Sequence, residues 1–195
     1  YTSTIKYSIA DENEPIKKDI EGAKQLLKEA GYENGLSLTI TTNDRQERID
    51  AATIMKEDLK EIGIDITVEV LEWSAFIEKI ENGQHDLFMI SWLSDSPDPD
   101  MVLYPCFHSS MAGPGGNYAF LNDAEVDELI IKGRRTLDGP EREQIYKDLQ
   151  EKIMDLAPAV FLYNSEIVIG ARNNIDNIEL TPFGYHRLYH ITFDK

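Results

Sequence analysis

The spacing of the hydrophobic residues changes repeatedly between positions 20 and 92, and this change restricts the folds available to the chain. Apolar residues recur every three or four positions over residues 20–30 and 46–62, which predicts two helices. They recur at every second position over residues 36–40 and 64–70, which predicts two strands. Alternation of strands and helices favours a parallel or mixed β-sheet flanked by helices, an α/β fold. The remaining elements of the series are a short helix over residues 74–81 and the apolar strand DLFMISW at 86–92.

The second half of the chain is predicted to contain two longer helices and three strands. A Gly-rich loop at 108–121 is followed by Asn122, a residue type that caps helix N-termini, and Glu125 comes three positions later. Pro140 suits the first turn of the next helix, and Pro158 ends that helix. The predicted strands are AVFLY, EIVIGA and LYHITF, at 159–163, 166–171 and 188–193.

The chain is strongly acidic, with 36 acidic and 19 basic residues and a formal charge of -17. Nucleic acids and anionic membranes repel such a charge, so neither is an expected partner. The charge suits a cationic ligand, although a solvated acidic surface has the same composition. A single cysteine, Cys106, excludes an internal disulfide. No apolar run approaches the roughly 20 residues of a membrane helix, and no signal peptide is present.

The ten residues SWLSDSPDPD, from Ser91 to Asp100, are the main candidate for a ligand site. They leave the carboxyl end of the third predicted strand, where open α/β sheets usually hold ligands. The short helix begins near the same rim, so we expect Trp73 to lie close to Trp92 and Asp95. Two aromatic rings beside a carboxylate make a receptor for an amine on an apolar body. A surface turn and a metal-binding loop are the alternatives for this stretch.

Metal binding and catalysis have weaker support in the sequence. The loop does not match an EF-hand, because the sixth and twelfth positions counted from Asp95 hold Asp and Cys instead of Gly and Glu. The pairs Cys106/His108 and His186/His190 could bind zinc or nickel but lack the second cluster of a structural site. No nucleophile elbow, zinc-protease motif, phosphate loop or dinucleotide fingerprint is present. We expect no metal, no cofactor and no enzymatic activity. A hydrolase that uses paired carboxylates is the alternative among enzymes.

Several motifs, in their order and spacing, resemble one known family. They are GYENGLSLTI, AATIMKEDLKEIGIDITVEVLEW, the W-x-x-D-x-x-DPD loop, GGNYAFLNDAEVDELI and REQIYKDLQEKIMDLAPAVFLY. Together they resemble the C-terminal part of the bacterial extracellular solute-binding proteins of family 5, the peptide- and nickel-binding subunits of ABC importers. The resemblance covers about residues 18–195.

The resemblance implies the architecture and the partners of the chain. It implies the C-terminal lobe of a type II periplasmic-binding-protein-like fold over residues 18–195, preceded by a linker or hinge-proximal segment over residues 1–17. The expected partners are a peptide ligand, the transmembrane subunits of an ABC permease, and an N-terminal lobe that this chain lacks. The expected location is extracellular, either as a membrane-anchored lipoprotein or in the periplasm, with the export signal upstream of this sequence.

The resemblance also implies roles for individual residues. In peptide-binding members, the Asp three residues after the loop Trp holds the α-ammonium of the peptide; here these residues are Asp95 and Trp92. The main chain around Leu93 would hydrogen-bond the peptide in the manner of a strand. The ligand-contacting helix Trp corresponds to Trp73, and its partner in the next turn corresponds to Phe76.

The resemblance also bears on the Gly-rich loop, on the other loop aspartates and on the site of the ligand carboxylate. Asn117 matches an Asn after the Gly-rich loop, with a role in either ligand binding or loop support. Asp98 and Asp100 are expected to brace the loop. Dipeptide-specific members bind the ligand carboxylate with an Arg before the long helix, where this chain has Thr42, with Arg45 and Arg48 nearby. A specificity for dipeptides alone is therefore not expected, and the ligand carboxylate is bound by Arg45, by the N-terminal lobe, or not at all. A nickel-chelate or other small-molecule receptor of the same family is the nearest alternative, and a structural protein without a ligand is another.

Overall fold

The chain divides into two units in a computed structural model that describes residues 1–12, 17–166, 168–181, 183–185 and 187–193. The described residues within Glu14–Trp92 and Cys106–Asn122 form what we call the sheet unit. Those within Tyr1–Asn13, Leu93–Pro105 and Asp123–Lys195 form the helical unit.

A three-stranded parallel sheet organises the sheet unit. Strand β1 (Leu36–Asn43) lies in the middle and pairs with β2 (Ile64–Leu71) over its whole length, from Leu36 opposite Ile64 to Asn43 opposite Leu71. Strand β3 (Leu87–Phe88) pairs with the other side of β1 and is shorter than the predicted strand at 86–92. The parallel strands and the helices between them confirm the predicted α/β fold with a sheet flanked by helices.

Helices α1 (Ile20–Glu29), α2 (Gln46–Lys60) and α3 (Trp73–Glu81) belong to the sheet unit. Helix α1 begins after Asp19, whose carboxylate accepts from the N–H of Gly22. Gly31 follows the end of α1 with a φ of 84°, which confirms the predicted C-terminal glycine. The core of this unit contains the apolar residues Ile40, Ala52, Ile64, Ile66 and Met89.

Helices α5 (Ala124–Arg135) and α6 (Pro140–Leu156) dominate the helical unit and pack against each other. Pro140 occupies the first turn of α6, as predicted. The predicted cap Asn122 is wrong by one residue, because the side chain of Asp123 accepts from the N–H groups of Glu125 and Val126. The 3-10 helix Leu188–His190 also belongs to the helical unit, whereas the 3-10 helix Ser109–Met111 belongs to the sheet unit. Helix α4 spans Asp100–Phe107.

The strands predicted near the C-terminus are largely wrong. The described residues of 159–163 and 166–171 form no strand, and Ile167 lies outside the described residues. Of the predicted strand at 188–193, only β5 (Thr192–Phe193) forms, antiparallel to β4 (Ile175–Asp176). Apolar and β-branched residues favour strands only where another strand offers its backbone. Val160, for example, stays 76% exposed.

Residues 1–12 make contacts within the helical unit. The N–H of Lys6 donates to the carbonyl of Pro97 at 2.9 Å, and the N–H of Ile9 donates to the side-chain oxygen of Gln150 at 3.3 Å. The predicted boundary at residue 17 follows residues 13–16, which lie outside the described part of the chain. The division into a linker over 1–17 and a lobe over 18–195 stays a prediction.

Candidate functional site

Arg142 anchors the distal half of the loop Ser91–Asp100 within the helical unit. Its side chain is only 9% exposed, and Nη2 donates to both carboxylate oxygens of Asp98 at 2.9 Å. Its Nε donates to the carbonyl of Gly133 at 3.0 Å, and the group lies 4.9 Å from the centre of the Tyr146 ring. A charge-assisted contact between so well-packed a cation and a loop carboxylate restricts the movement of the loop.

The two distal aspartates of the loop differ electrostatically. Burial alone would raise the pKa of Asp98, but the hydrogen bonds from Arg142 and from the N–H of Asp100 outweigh it and lower the pKa below its ordinary value. Burial raises the pKa of Asp100 and outweighs the opposing charge of Arg134, whose Nε lies 3.1 Å from Oδ1 of Asp100. Both carboxylates thus have an arginine beside them, which confirms the prediction that they brace the loop.

The loop also bonds to itself. The hydroxyl of Ser94 donates to the carbonyl of Ser96 at 2.6 Å, and the N–H of Asp98 donates to the hydroxyl of Ser96 at 3.3 Å. The N–H of Asp100 donates to Oδ1 of Asp98 at 3.0 Å. Such side-chain to main-chain bonds are typical of Ser- and Asp-rich turns and hold the backbone in one conformation.

Asp95 is the exposed aspartate of this loop. Its Oδ1 accepts a hydrogen bond from the hydroxyl of Tyr185 at 2.5 Å. Among the residues that the structure describes, no Lys, Arg or His side chain lies within ion-pair distance of Asp95. The neighbouring Leu93 is also exposed. The loop therefore presents one carboxylate to solvent from a backbone whose other acidic groups are already paired.

The candidate aromatic residues lie in the sheet unit. Trp73 is the first residue of α3 and is 47% exposed; its ring lies 5.8 Å from that of Phe76. Phe76 is completely buried, so in this structure it supports Trp73 from the core instead of offering a ring to a ligand. Trp92 is partly exposed. The expected proximity of Trp73 to Asp95 stays a prediction.

A second arginine, Arg48, fixes the residue that begins the loop. It lies in the first turn of α2 and is buried. Its Nη1 donates to the side-chain oxygen of Asn43 at 2.7 Å, and its Nη2 donates to the hydroxyl of Ser91 at 3.0 Å. Asn43 ends β1, so Arg48 ties the end of the central strand to the residue just before Trp92 within the sheet unit.

Asn117 and Arg45, the other two candidate residues, have opposite surroundings: Asn117 is buried, whereas Arg45 is exposed and stays a predicted ligand contact. Asn117 is completely buried; its Nδ2 donates to the carbonyls of His108 and Leu121, and its Oδ1 accepts from the N–H of Leu121. Of its two expected roles, this geometry favours loop support. Arg45 is exposed before α2, with Nη1 3.6 Å from a carboxylate oxygen of Glu47.

Metal-ligating side chains do not cluster in the part of the chain that the structure describes: no group of three or more His, Cys, Asp or Glu could hold an ion there. Burial raises the pKa of the Cys106 thiol to about 12, which disfavours the thiolate that a metal requires. Nδ1 of His108 accepts from the N–H of Ser110. His186, of the other candidate pair, lies outside the described residues.

Among the described helices, none combines the length and the apolarity needed to cross a bilayer.

Comparison with known proteins identifies the family. The profile of "Bacterial extracellular solute-binding proteins, family 5 Middle" matches residues 2–114. The chain belongs to this family. Members of family 5 are solute-binding proteins, and the resemblance noted in the motifs of the sequence is thereby confirmed.

Relatives in family 5 indicate the fold and the range of solutes. The chain is 29% identical over 203 residues to di/tripeptide-binding protein 1 of Pseudomonas aeruginosa, covering 100% of this chain and 36% of that protein. It is 28% identical over 195 residues to heme-binding protein A of Haemophilus influenzae, covering 96% of this chain and 35% of that protein. The periplasmic binding protein DppA of Helicobacter pylori, solved with the peptide STSA, superposes with a TM-score of 0.74 and 34% identity over 80% of this chain and 31% of that one.

The fold of this chain matches part of the type II periplasmic peptide-binding proteins, as the family resemblance implies. The chain spans about a third of the length of the relatives that it matches.

The sequence does not predict that Arg134, Arg142 and Tyr185 pair with the loop carboxylates, or that Arg48 bonds to Ser91. Arg142 and Arg48 occupy inward positions of their helices, in register with buried residues such as Leu149 and Ala52, and a basic residue on an apolar helix face is the signal that could have found them. Tyr185 has no such signal, because it lies 90 residues from Asp95 along the chain.

Proposed function

We propose that this chain contributes to the substrate-binding component of a peptide ABC importer and that Asp95 receives the α-ammonium group of the peptide. The observation that carries the proposal is that two of the three carboxylates on one loop have a cationic partner and the third has none among the described residues. Asp98 and Asp100 each have an arginine beside them, whereas Asp95 faces solvent without a cation among the described residues. A fixed, unneutralised carboxylate is suited to a cationic ligand that brings its own hydrogen-bond donors.

Other residues would contact the body of the peptide. Trp73 and Trp92 are the aromatic surfaces against which we place the side chains of the peptide, and the main chain around Leu93 pairs with the peptide backbone. We assign the chain to one lobe of a two-lobed receptor outside the cytoplasmic membrane, anchored there as a lipoprotein or free in the periplasm. Closure of the lobes on peptide would present the receptor to its permease.

The experiment is an NMR titration of the chain with trialanine. Asp95→Asn keeps the shape of the side chain and removes its charge, so the dissociation constant should rise roughly 10- to 100-fold, as expected for loss of a hydrogen bond between charged groups. Asp65→Asn, which removes one exposed carboxylate from β2 in the sheet unit, is the matched control and should leave the affinity unchanged. Equal affinities of the wild type and the Asp95→Asn variant would refute the proposal.

A receptor for another solute of the family is the second candidate, favoured by the identity to a heme-binding protein. Hemin and a nickel chelate are the probes. A saturable change in the hemin absorbance spectrum, or nickel bound in stoichiometric amount, together with no response to trialanine, would replace the peptide assignment.

A further inference from the structure

Tyr185 is held beside Asp95 by its own turn. The N–H of Tyr185 donates to the hydroxyl of Thr181 at 3.0 Å, and the carbonyl of Tyr185 accepts from the N–H of Thr181 at 3.1 Å. Gly184, with a φ of 80°, adopts the left-handed conformation that this turn requires. The phenol is therefore delivered to the carboxylate from a closed turn within the same helical unit, with Tyr185 itself 51% exposed.

We infer that Tyr185 is a second residue of the ammonium site, which positions the Asp95 carboxylate and offers its phenol oxygen as a further acceptor to a primary amine. This inference rests on the proposed function of Asp95. A carboxylate has about four acceptor positions, and the Tyr185 hydroxyl occupies one of them on Oδ1. A phenol that donates its proton still has lone pairs on oxygen, and these point away from its own O–H bond.

The chemistry of the ligand follows from this arrangement. An α-ammonium group has three N–H donors, so it can donate to Asp95 and to the Tyr185 oxygen at the same time. An acylated amine has lost the positive charge and keeps a single N–H, so it gains little from the pair. The hydrogen bond to Asp95 also raises the pKa of Tyr185, which keeps the phenol protonated and donating at neutral pH. The pair thus selects for ligands with a free amino terminus.

The alternative is that Tyr185 competes with the ligand. In that case the phenol fills the position of the ammonium group and must leave before a peptide binds. The two roles give opposite signs on removal of the hydroxyl, because a competitor weakens binding and a positioning residue strengthens it.

The test compares Tyr185→Phe with the wild type for two probes, trialanine and N-propionyl-dialanine, which lacks only the amino group. We expect trialanine to bind the variant about 3- to 10-fold more weakly, the loss typical of one hydrogen bond, and N-propionyl-dialanine to bind both proteins alike. The control is Tyr163→Phe, which removes an exposed hydroxyl that has no hydrogen bond to the described residues. Unchanged or tighter binding of trialanine to Tyr185→Phe would overturn the inference.

A measurement without ligand separates the possible failures. The carboxyl carbon of Asp95 should change its chemical shift in Tyr185→Phe but not in Tyr163→Phe, and no change would mean that the phenol does not position the carboxylate. If trialanine binding depends on Asp95 but not on Tyr185, only this inference fails. If it does not depend on Asp95, the proposed function fails, and the inference fails with it.

Discussion

Replacement of Asp98 by Asn should destabilise the helical unit, because it disrupts the pairing of a buried cation. Oδ1 of Asp98 accepts both from Arg142 and from the N–H of Asp100, so the amide oxygen of Asn is expected to keep that position. The NH2 group then replaces Oδ2 and faces Nη2 of Arg142, which places a donor against a donor. Because the Arg142 side chain is only 9% exposed, its guanidinium gains little hydration in compensation.

The size of the destabilisation follows from the exposure of Arg142 and Asp98. Removing one partner of a fully buried ion pair costs about 3–5 kcal/mol, and a hydrogen bond to a charged group contributes about 1.5–3 kcal/mol. Asp98 is 40% exposed, so solvent screening places the loss toward the lower range, about 2 kcal/mol. The carboxylate of Asp138, 3.7 Å from Nη1 of Arg142, retains part of the pairing. A loss of about 2 kcal/mol corresponds to a roughly 30-fold larger opening constant.

Amide hydrogen exchange of α6 is the appropriate assay. Both tryptophans, Trp73 and Trp92, belong to the sheet unit, so tryptophan fluorescence reports on that unit. The amides of Ile145 and Leu149 lie on the buried face of α6 and should exchange about 30-fold faster in Asp98→Asn at pH 7. Asp138→Asn is the matched control: it removes the same charge near the same guanidinium, but from an exposed side chain, and should have a much smaller effect.

The stabilisation that Asp98 provides depends on pH. The pKa of Asp98 is lower in the folded chain than in the unfolded chain, so its stabilisation is complete above the unfolded value, about 3.9, and is lost as the pH falls through the folded value. The difference between the wild type and Asp98→Asn should be constant from about pH 5 to 7 and shrink below about pH 4. Equal exchange rates in Asp98→Asn and Asp138→Asn at pH 7 would refute this account of the Arg142 anchor.

Two further predictions concern packing. A Cβ at Gly133 would lie 2.8 Å from Cζ of the completely buried Tyr146, so Gly133→Ala should destabilise the chain by about 2 kcal/mol in a urea titration followed by circular dichroism. Gly170→Ala, where a Cβ would meet no described atom within 4 Å, should leave the midpoint nearly unchanged, and equal midpoint shifts would contradict the packing argument. Burial raises the pKa of Cys106 to about 12, so at pH 8 its thiol should react with a disulfide reagent at least about 100-fold more slowly in the native chain than in urea; comparable rates would show that the thiol is accessible.

Local periodicity predicts the sheet unit because each of its elements is specified by nearby residues. Alternation at Ile64 and Ile66 buries one face of β2, and the same two residues belong to the core. The C-terminal strands depend on something else: a strand needs a neighbouring edge, and that edge is specified elsewhere in the sequence. Val160 and Val168 illustrate the limit, since both are suited to a strand and both remain largely exposed.

The sequence predicts the position of the loop and of Asp95, but not the residues that hold them in place. The position of the loop after the third strand follows from the alternation of elements, and Asp95 follows from the family resemblance. The residues that fix the loop do not follow from its own sequence, because Arg142 pairs with Asp98 from 44 residues away and Tyr185 reaches Asp95 from 90 residues away. Pairing over such distances is set by the packing of helices and turns, which local propensity does not encode.

Two of the loop carboxylates are paired with arginines and one is not, and this difference explains how an acidic loop can be rigid and still offer a carboxylate to a ligand. Three unpaired carboxylates on one short loop would repel one another and would need solvent to screen them. Arg142 and Arg134 reduce this repulsion at Asp98 and Asp100, and the loop can then hold Asp95 in place without a cation of its own. In the proposed function, an incoming ammonium group would meet a carboxylate that need not give up a protein cation. Since the pairing partners lie on α5 and α6, the proposal predicts that affinity at Asp95 depends on the packing of helices that need not touch the ligand.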